Sequence, residues 1–203
     1  MPSFTITMPD IQQGPAYLWF GVQVPSTGNR LLVDASGNLT QGNPYPMGSS
    51  EGAATFHASA KIEPISIDQE TAPVDAVMTA ETAYIEFNLK ESSLQKLYYA
   101  VAHTTYSAGS DSNLPAGATQ YEELTAGGLI PLPQAAIAMV SPRRGFSNPG
   151  KYFVACLYNA FASDPLQIGF TRTKESIYKV KWEGLAVLTR TQGDRVCQFY
   201  RQI

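Results

Sequence analysis

Charge is scarce in this sequence. Lysine, arginine, aspartate and glutamate make up 15% of its 203 residues, against about a quarter in ordinary soluble domains. A surface so poor in charge is either built from small uncharged side chains or partly covered by other chains. Histidine is scarcer, with His57 and His103 the only 2. Neither has a Cys, Asp or His at metal-ligand spacing, so no metal site is expected. A hydrolytic triad would have to recruit one of these two. No G-x-G-x-x-G and no P-loop occurs, so no nucleotide cofactor is expected either. The 2 cysteines, Cys156 and Cys197, both lie in apolar strand-like runs. They read as buried free thiols rather than a disulfide framework. No apolar run approaches the ~18 residues of a membrane-crossing helix. The start, "MPSFTITMPDIQQGPAYLWF", lacks a basic segment followed by an apolar core and does not read as a signal peptide.

What is present points to strands. The 16 glycines and 14 prolines, with plentiful Thr, Tyr, Val and Ile, favour many short strands joined by turns. The 44% hydrophobic content suffices for one domain with a substantial core, and a second domain is not required. The net charge of −3 hides an asymmetry. Residues 61–140 hold three basic and ten acidic side chains; residues 141–203 hold ten basic and four acidic. Either these charges mix in one folded domain, or an acidic and a basic face meet on neighbouring copies.

Along the chain, "AYLWFGVQV" (16–24) reads as a strand opened by Gly14-Pro15 and stopped by Pro25. Residues 26–60 carry repeated turn signals and read as a long loop, with short strands at 31–33 and 55–60 able to make its ends a hairpin. Such a loop is expected to be flexible in a free subunit and ordered by neighbours. "KIEPISIDQ" (61–69) alternates imperfectly around Pro64, as an edge strand or bulge does. Residues 104–128 read as a second loop-rich region. "LIPLPQAAIAMVSP" (129–142) gives a strand ended by Pro142. "KYFVACLYNAFAS" (151–163) reads as a strand buried on both faces. In "IYKVKWEG", Tyr178, Val180 and Trp182 point inward while Lys179, Lys181 and Glu183 point outward. "RVCQFYRQI" forms a last strand.

The most informative stretch is "AYIEFNLKESSLQKLYYAVAHT" (83–104). Its first half alternates, with Ile85, Phe87 and Leu89 on one side and Tyr84, Glu86, Asn88 and Lys90 on the other. Its second half changes to helical spacing at Leu94, Leu97, Tyr98 and Val101. Ser92 followed by Gln95 reads as a capping box. Gln95, Lys96 and Tyr99 are expected to face away from the core. The carboxylate pairs Glu122-Glu123 and Glu70/Asp75 read as solvated surface. "SPRRGF", with Arg143 and Arg144, is the tightest basic cluster; two arginines are too few for nucleic-acid binding and read as a turn that salt-bridges a neighbour. Catalysis is poorly supported; association is better supported.

The succession of segments resembles the major tail tube proteins of long-tailed bacteriophages. The resemblance runs over about residues 14–200. It is carried by "GPAYLWFGVQV", by "GAATFHASAKIEPISIDQETAPVD", by the glutamate-bearing strand that runs into a helix in "TAETAYIEFNLKESSLQKLYYAV", and by "FTRTKESIYKVKWEGLAVLTRTQGDRVCQFY". It implies a mainly β (α+β) fold, a β-sandwich or barrel-like core with one packed helix and a long loop after the first strand. It also implies a structural, non-enzymatic virion protein, made in the host cytoplasm and resident in the tail. Its subunits form hexameric rings that stack into a tube for DNA delivery, with tape measure, terminator and baseplate proteins as further partners. Inner strands join into one barrel lining the channel, and the long loop reaches adjacent rings. Tube proteins of injectisome-type bacterial secretion systems share that fold. Under the same resemblance, Glu86, Asn88, Lys179, Lys181, Arg143 and Arg144 are candidates for channel-facing or subunit-contact positions. A tail terminator or baseplate ring protein, or a non-viral β-sandwich binding module using Tyr17, Trp19 and Trp182, are the competing expectations.

Overall fold

Strands dominate, as the composition implies. The structure, a computed structural model, describes residues 15–48, 50–68, 70–90, 93–101, 104–115, 118–128, 132–143, 151–165, 167 and 176–203. The strands are β1 (Tyr17–Val22), β2 (Gly42–Pro46), β3 (Ser50–Ile65), β4 (Asp75–Leu89), β5 (Thr104–Ser110), β6 (Gln120–Ala126), β7 (Ala135–Pro142), β8 (Tyr152–Ala162), β9 (Tyr178–Gly184) and β10 (Cys197–Arg201); the helix α1 spans Leu94–Ala100. The fold is therefore mainly β with one helix. The main sheet runs β2-β1-β7-β8-β9-β4-β3, and β5 and β6 form a separate hairpin. All pairings are antiparallel.

The sheet turns at β8. One edge of β8 pairs with β7. The other pairs first with β10, through 153–157, and then with β9, through 160–162. β9 and β4 can thus swing away and curl back toward β1. Phe20 of β1 meets Trp182 of β9 with ring centroids 6.2 Å apart, although two strands separate them in the sheet. The space so enclosed is the main core: Leu18, Ile85, Phe87, Leu89, Ile137, Leu157, Val180 and Trp182, with Leu97 and Ala100 of α1 closing it.

β7 and β8 are buried on both faces, as the apolar run at 151–163 implies. Their other face, with Ala138, Val140, Val154, Cys156 and Tyr158, forms a second core with Val22, Leu31 and Leu39. Cys197 lies opposite Leu157, so its side chain points to the main core while Cys156 points to the second. The two thiols are free. Burial pushes the Cys156 thiol up to about 12, which leaves it inert at neutral pH.

Residues 26–60 differ from the long loop or hairpin expected. They contain β2 and the inner part of β3; residues 55–60 pair with β4, and Val33 makes a single bridge to Leu39. Residues 25–41 are tied down by side-chain donors that reach their carbonyls. Arg190 donates to Pro25, Gln198 to Asn29, Tyr200 to Leu31 and Tyr152 to Ala35. Leu31 and Leu39 are buried beneath them.

The helix start also differs from the expectation. Ser93 is the N-cap, its hydroxyl accepting from the Lys96 amide at 3.4 Å; Ser92 lies outside the described residues. Tyr99 does not face away. It packs on Phe20 at 4.4 Å and Tyr45 at 4.6 Å, and its carbonyl accepts from the Trp182 indole.

One buried cation holds the loops together. Arg190, 8% exposed, lies 3.8 Å over the Tyr158 ring and donates to Asp194 and to the Pro25 carbonyl. Tyr158 also donates to Asp194. These bonds, the Tyr158 hydroxyl first, hold the Asp194 carboxyl below its ordinary value.

Two outcomes follow. Leu97 is 2% exposed in the main core, so Leu97→Ala should cost about 2–5 kcal/mol in denaturant unfolding. Arg190→Met strands buried acceptors and should cost about 3–5 kcal/mol. Because the folded state lowers the Asp194 pKa, the stabilisation by this cluster is present above the unfolded value near 3.8 and is lost as pH falls through the folded value. Unfolding free energies of parent and Asp194→Asn should therefore converge as pH drops below about 4.

Candidate functional site: the polar face of β3, β4 and β9 and the ribbon beyond it

β4 places the candidate residues. Ile85, Phe87 and Leu89 are buried, so the two-residue period turns Tyr84, Glu86 and Asn88 outward. Register then fixes their neighbours. Tyr84 lies between His57 and Glu183, Glu86 between Thr55 and Lys181, and Asn88 between Glu51 and Lys179. Two extra residues between Glu51 and Thr55 let β3 keep this alignment, and Gly52 adopts φ 77° there, a left-handed turn that favours glycine.

The face is a lattice of compensated charges. Lys181 Nζ is 2.6 Å from Glu183 Oε1 and 4.5 Å from the centre of the Tyr84 ring. The hydrogen bond to Glu183 raises the Lys181 ammonium above its ordinary value and lowers the Glu183 carboxyl below its own. Lys179 lies 3.8 Å from Asp164, and Lys90 3.9 Å from Glu51. His57 stacks on Tyr84 with centroids 4.4 Å apart and points Nε2 at Glu86 Oε1, 3.7 Å away. Among the described residues, each lysine on this face thus has a carboxylate within 4 Å, and four carboxylates accompany three lysines.

Of the six candidates, Glu86, Asn88, Lys179 and Lys181 come together here. Arg143 does not join them. It is 5% exposed, and its guanidinium donates to the Gln202 carbonyl while its amide donates to Lys151. It pins the C-terminal segment inside this subunit rather than presenting charge to another. Arg144 and His103 lie outside the described residues.

Beyond Ala58 and Ala83 the β3–β4 pair leaves the core. From there to Ile65 and Asp75 it continues as a two-stranded ribbon. β9 pairs only with 84–89 of β4, so among the described residues nothing pairs with the outer edge of either ribbon strand. The ribbon nevertheless exposes apolar side chains: Ile62 at 63%, Met78 opposite it at 60%, and Val77 at 48%. Sequence reading marked 61–69 as an edge strand or bulge. The strand is indeed at the sheet edge, with a register shift between Lys61 and Ile62. The partner half, 75–82, went unread; its one signal was the alternation of Ala76, Met78 and Ala80 with Val77, Thr79 and Glu81.

The chemistry of a reactive centre is not assembled here. Residues 48–52 have the spacing G-x-S-x-G, but Ser50 opens an edge strand instead of a strand-to-helix turn. It lies opposite Leu89, on the face away from His57. Among the described residues no group of three or more His, Cys, Asp or Glu side chains is placed to hold a metal ion. No helix among them is long and apolar enough to cross a membrane. Compared with protein-family models, the chain matches none. No curated protein matches it either.

Glu86→Gln removes one charge from a half-exposed position and almost no packing. Its unfolding free energy should stay within about 0.5 kcal/mol of the parent. A loss of several kcal/mol on denaturant titration would mean that the inner and outer sides of β4 are assigned the wrong way round.

Proposed function

We propose that this chain is a structural subunit that assembles with copies of itself into stacked rings forming a tube, in the manner of the tail tube proteins its segment order resembles. The observation that carries this reading is the ribbon. A lone two-stranded ribbon in water is marginally stable at best. This one bears exposed Ile62, Val77 and Met78, and among the described residues nothing pairs with its two outer edges. Such edges are templates for pairing with another chain. The edges differ, one from β3 and the other from the outer half of β4, so a copy can offer one and receive the other. Head-to-tail contacts of this kind close into rings when their rotation closes, and otherwise continue as filaments.

The polar face suits a channel wall. Basic walls hold DNA by releasing its counterions, and a wall on which each lysine has a carboxylate within 4 Å offers a passing polyanion little net attraction. On this reading Glu86, Asn88, Lys179 and Lys181 face the lumen. The number of copies per ring, residence in a virion tail and the companion tail proteins rest on the resemblance alone. A tail terminator would use the same ribbon and stop at one ring.

Negative-stain images and sedimentation of concentrated protein across a range of salt test this. Open-ended tubes are expected, and Ile62→Asp with Met78→Asp should abolish them while leaving thermal unfolding nearly unchanged. Single rings would move the assignment to a terminator-type protein. A monomer under all conditions would overturn self-assembly.

A further inference from the structure

The closed end of the ribbon is chemically distinctive. The Val74 amide donates to the Ile65 carbonyl at 2.9 Å, and the Glu70 amide to the Ile67 carbonyl at 3.2 Å, which closes the tip between residues 65–68 and 70–75. It exposes Ile65 and Ile67 at 44% each and Val74 at 51%. Between residues 61 and 81 there are five carboxylates, Glu63, Asp68, Glu70, Asp75 and Glu81, and one lysine. Lys61 is already 2.7 Å from Glu63. The tip is therefore apolar at its centre and acidic around it, and among the described residues no cation other than Lys61 forms an ion pair with it.

A groove of about 720 Å³ with the opposite character lies beside the second core. It is lined by Gln23, Pro25, Asn29, Arg30, Leu32 and Gln41 among others, with no carboxylate. Leu32 is 55% exposed there. Arg30 is exposed and donates to the Gly28 carbonyl at 2.7 Å; its charge also helps to lower the Asp194 carboxyl, which is not among the residues lining the groove. The groove is firm, because the side-chain bonds to Pro25, Asn29 and Leu31 hold its wall. A pre-formed wall lowers the ordering cost of binding.

We propose that the tip of the β3–β4 ribbon of one copy seats in the 23–41 groove of another copy. Ile67 and its neighbours meet Leu32, and Asp68 and Glu70 meet Arg30. This rests on the self-assembly reading and names the contact that joins successive copies. Charge complementarity favours a second copy over an unrelated partner, because one chain carries both halves of the contact.

The test mixes two full-length variants, Ile67→Cys and Leu32→Cys, under mild oxidation. Covalent dimers are expected in the mixture and not in either variant alone. In parallel, Arg30→Glu should raise the protein concentration needed for assembly about tenfold, the scale of one lost charge contact. Asp68→Lys with Glu70→Lys in the same chain should restore it, and Arg30→Gln should give a smaller shift. If the parent forms tubes while the mixture gives no cross-link and Arg30→Glu assembles normally, the seating of the tip is wrong and self-assembly stands. If the parent never leaves the monomer, self-assembly itself fails, and this contact with it.

Discussion

The alternation of side chains along β4 is the constraint on which the rest depends. Ile85, Phe87 and Leu89 are each at most 3% exposed, wedged among Trp182, Val180 and Leu97. A slip of one residue would move all three into water and drive Glu86 and Asn88 into the core. Burial of these three therefore sets the register with β9 on one side and β3 on the other. That register lines up His57, Tyr84 and Glu183 in one row and Glu86 with Lys181 in the next. The same strand then runs past the core and becomes half of the ribbon. Core packing at its inner end thus positions both surfaces that carry the functional reading.

Sequence patterns revealed the elements that separate apolar from polar residues. β9 alternates because one face meets Trp182's neighbours and the other meets water, and β8 reads as a continuous apolar run because both faces are covered. The β5–β6 hairpin was read as loop because its strands are exposed on most of their length, so no burial enforces a two-residue period. β2 was hidden by its composition, Gly42-Asn-Pro-Tyr-Pro46, in which turn residues outnumber strand formers. Tyr99 was misplaced for a different reason. A seven-residue helix covered on two sides, by Phe20 and Tyr45 and by the β5–β6 hairpin, has no single apolar stripe. The ordered path of 25–41 was illegible because its anchors, Tyr152, Arg190, Gln198 and Tyr200, lie more than a hundred residues away.

Among the described residues, the split of charge between halves of the sequence is partly absorbed inside the domain. Much of the basic half is used internally: Arg143 and Arg190 are buried, and Lys179 and Lys181 are matched by Asp164 and Glu183. The acidic excess is matched less fully: on the ribbon only Glu63 has a cation within 4 Å among the described residues, Lys61. It sits on the ribbon, at Glu63, Asp68, Glu70, Asp75 and Glu81, and on β6, at Glu122 and Glu123, all exposed. Low charge overall and concentrated acid on the projecting parts are thus one fact. Among the described residues, Arg143, Arg190, Lys179 and Lys181 are engaged inside the domain and do not balance those parts.

That placement bears on how such a ribbon stays soluble before it finds a partner. An open edge flanked by Ile62, Val77 and Met78 invites indiscriminate strand pairing. Pro64 removes one donor from the β3 strand, and the extra residue Thr79, opposite the step from Lys61 to Ile62, breaks the regular spacing of β4. The carboxylates add like-charge repulsion between ribbons that approach tip to tip or in parallel. In the proposed assembly, a copy that offers the Arg30 groove to the acidic tip meets less of that repulsion. The acid on the ribbon therefore selects among the ways two identical apolar surfaces can meet. In the proposed assembly it would disfavour ribbon-to-ribbon pairings and leave the tip-in-groove contact, which is head-to-tail.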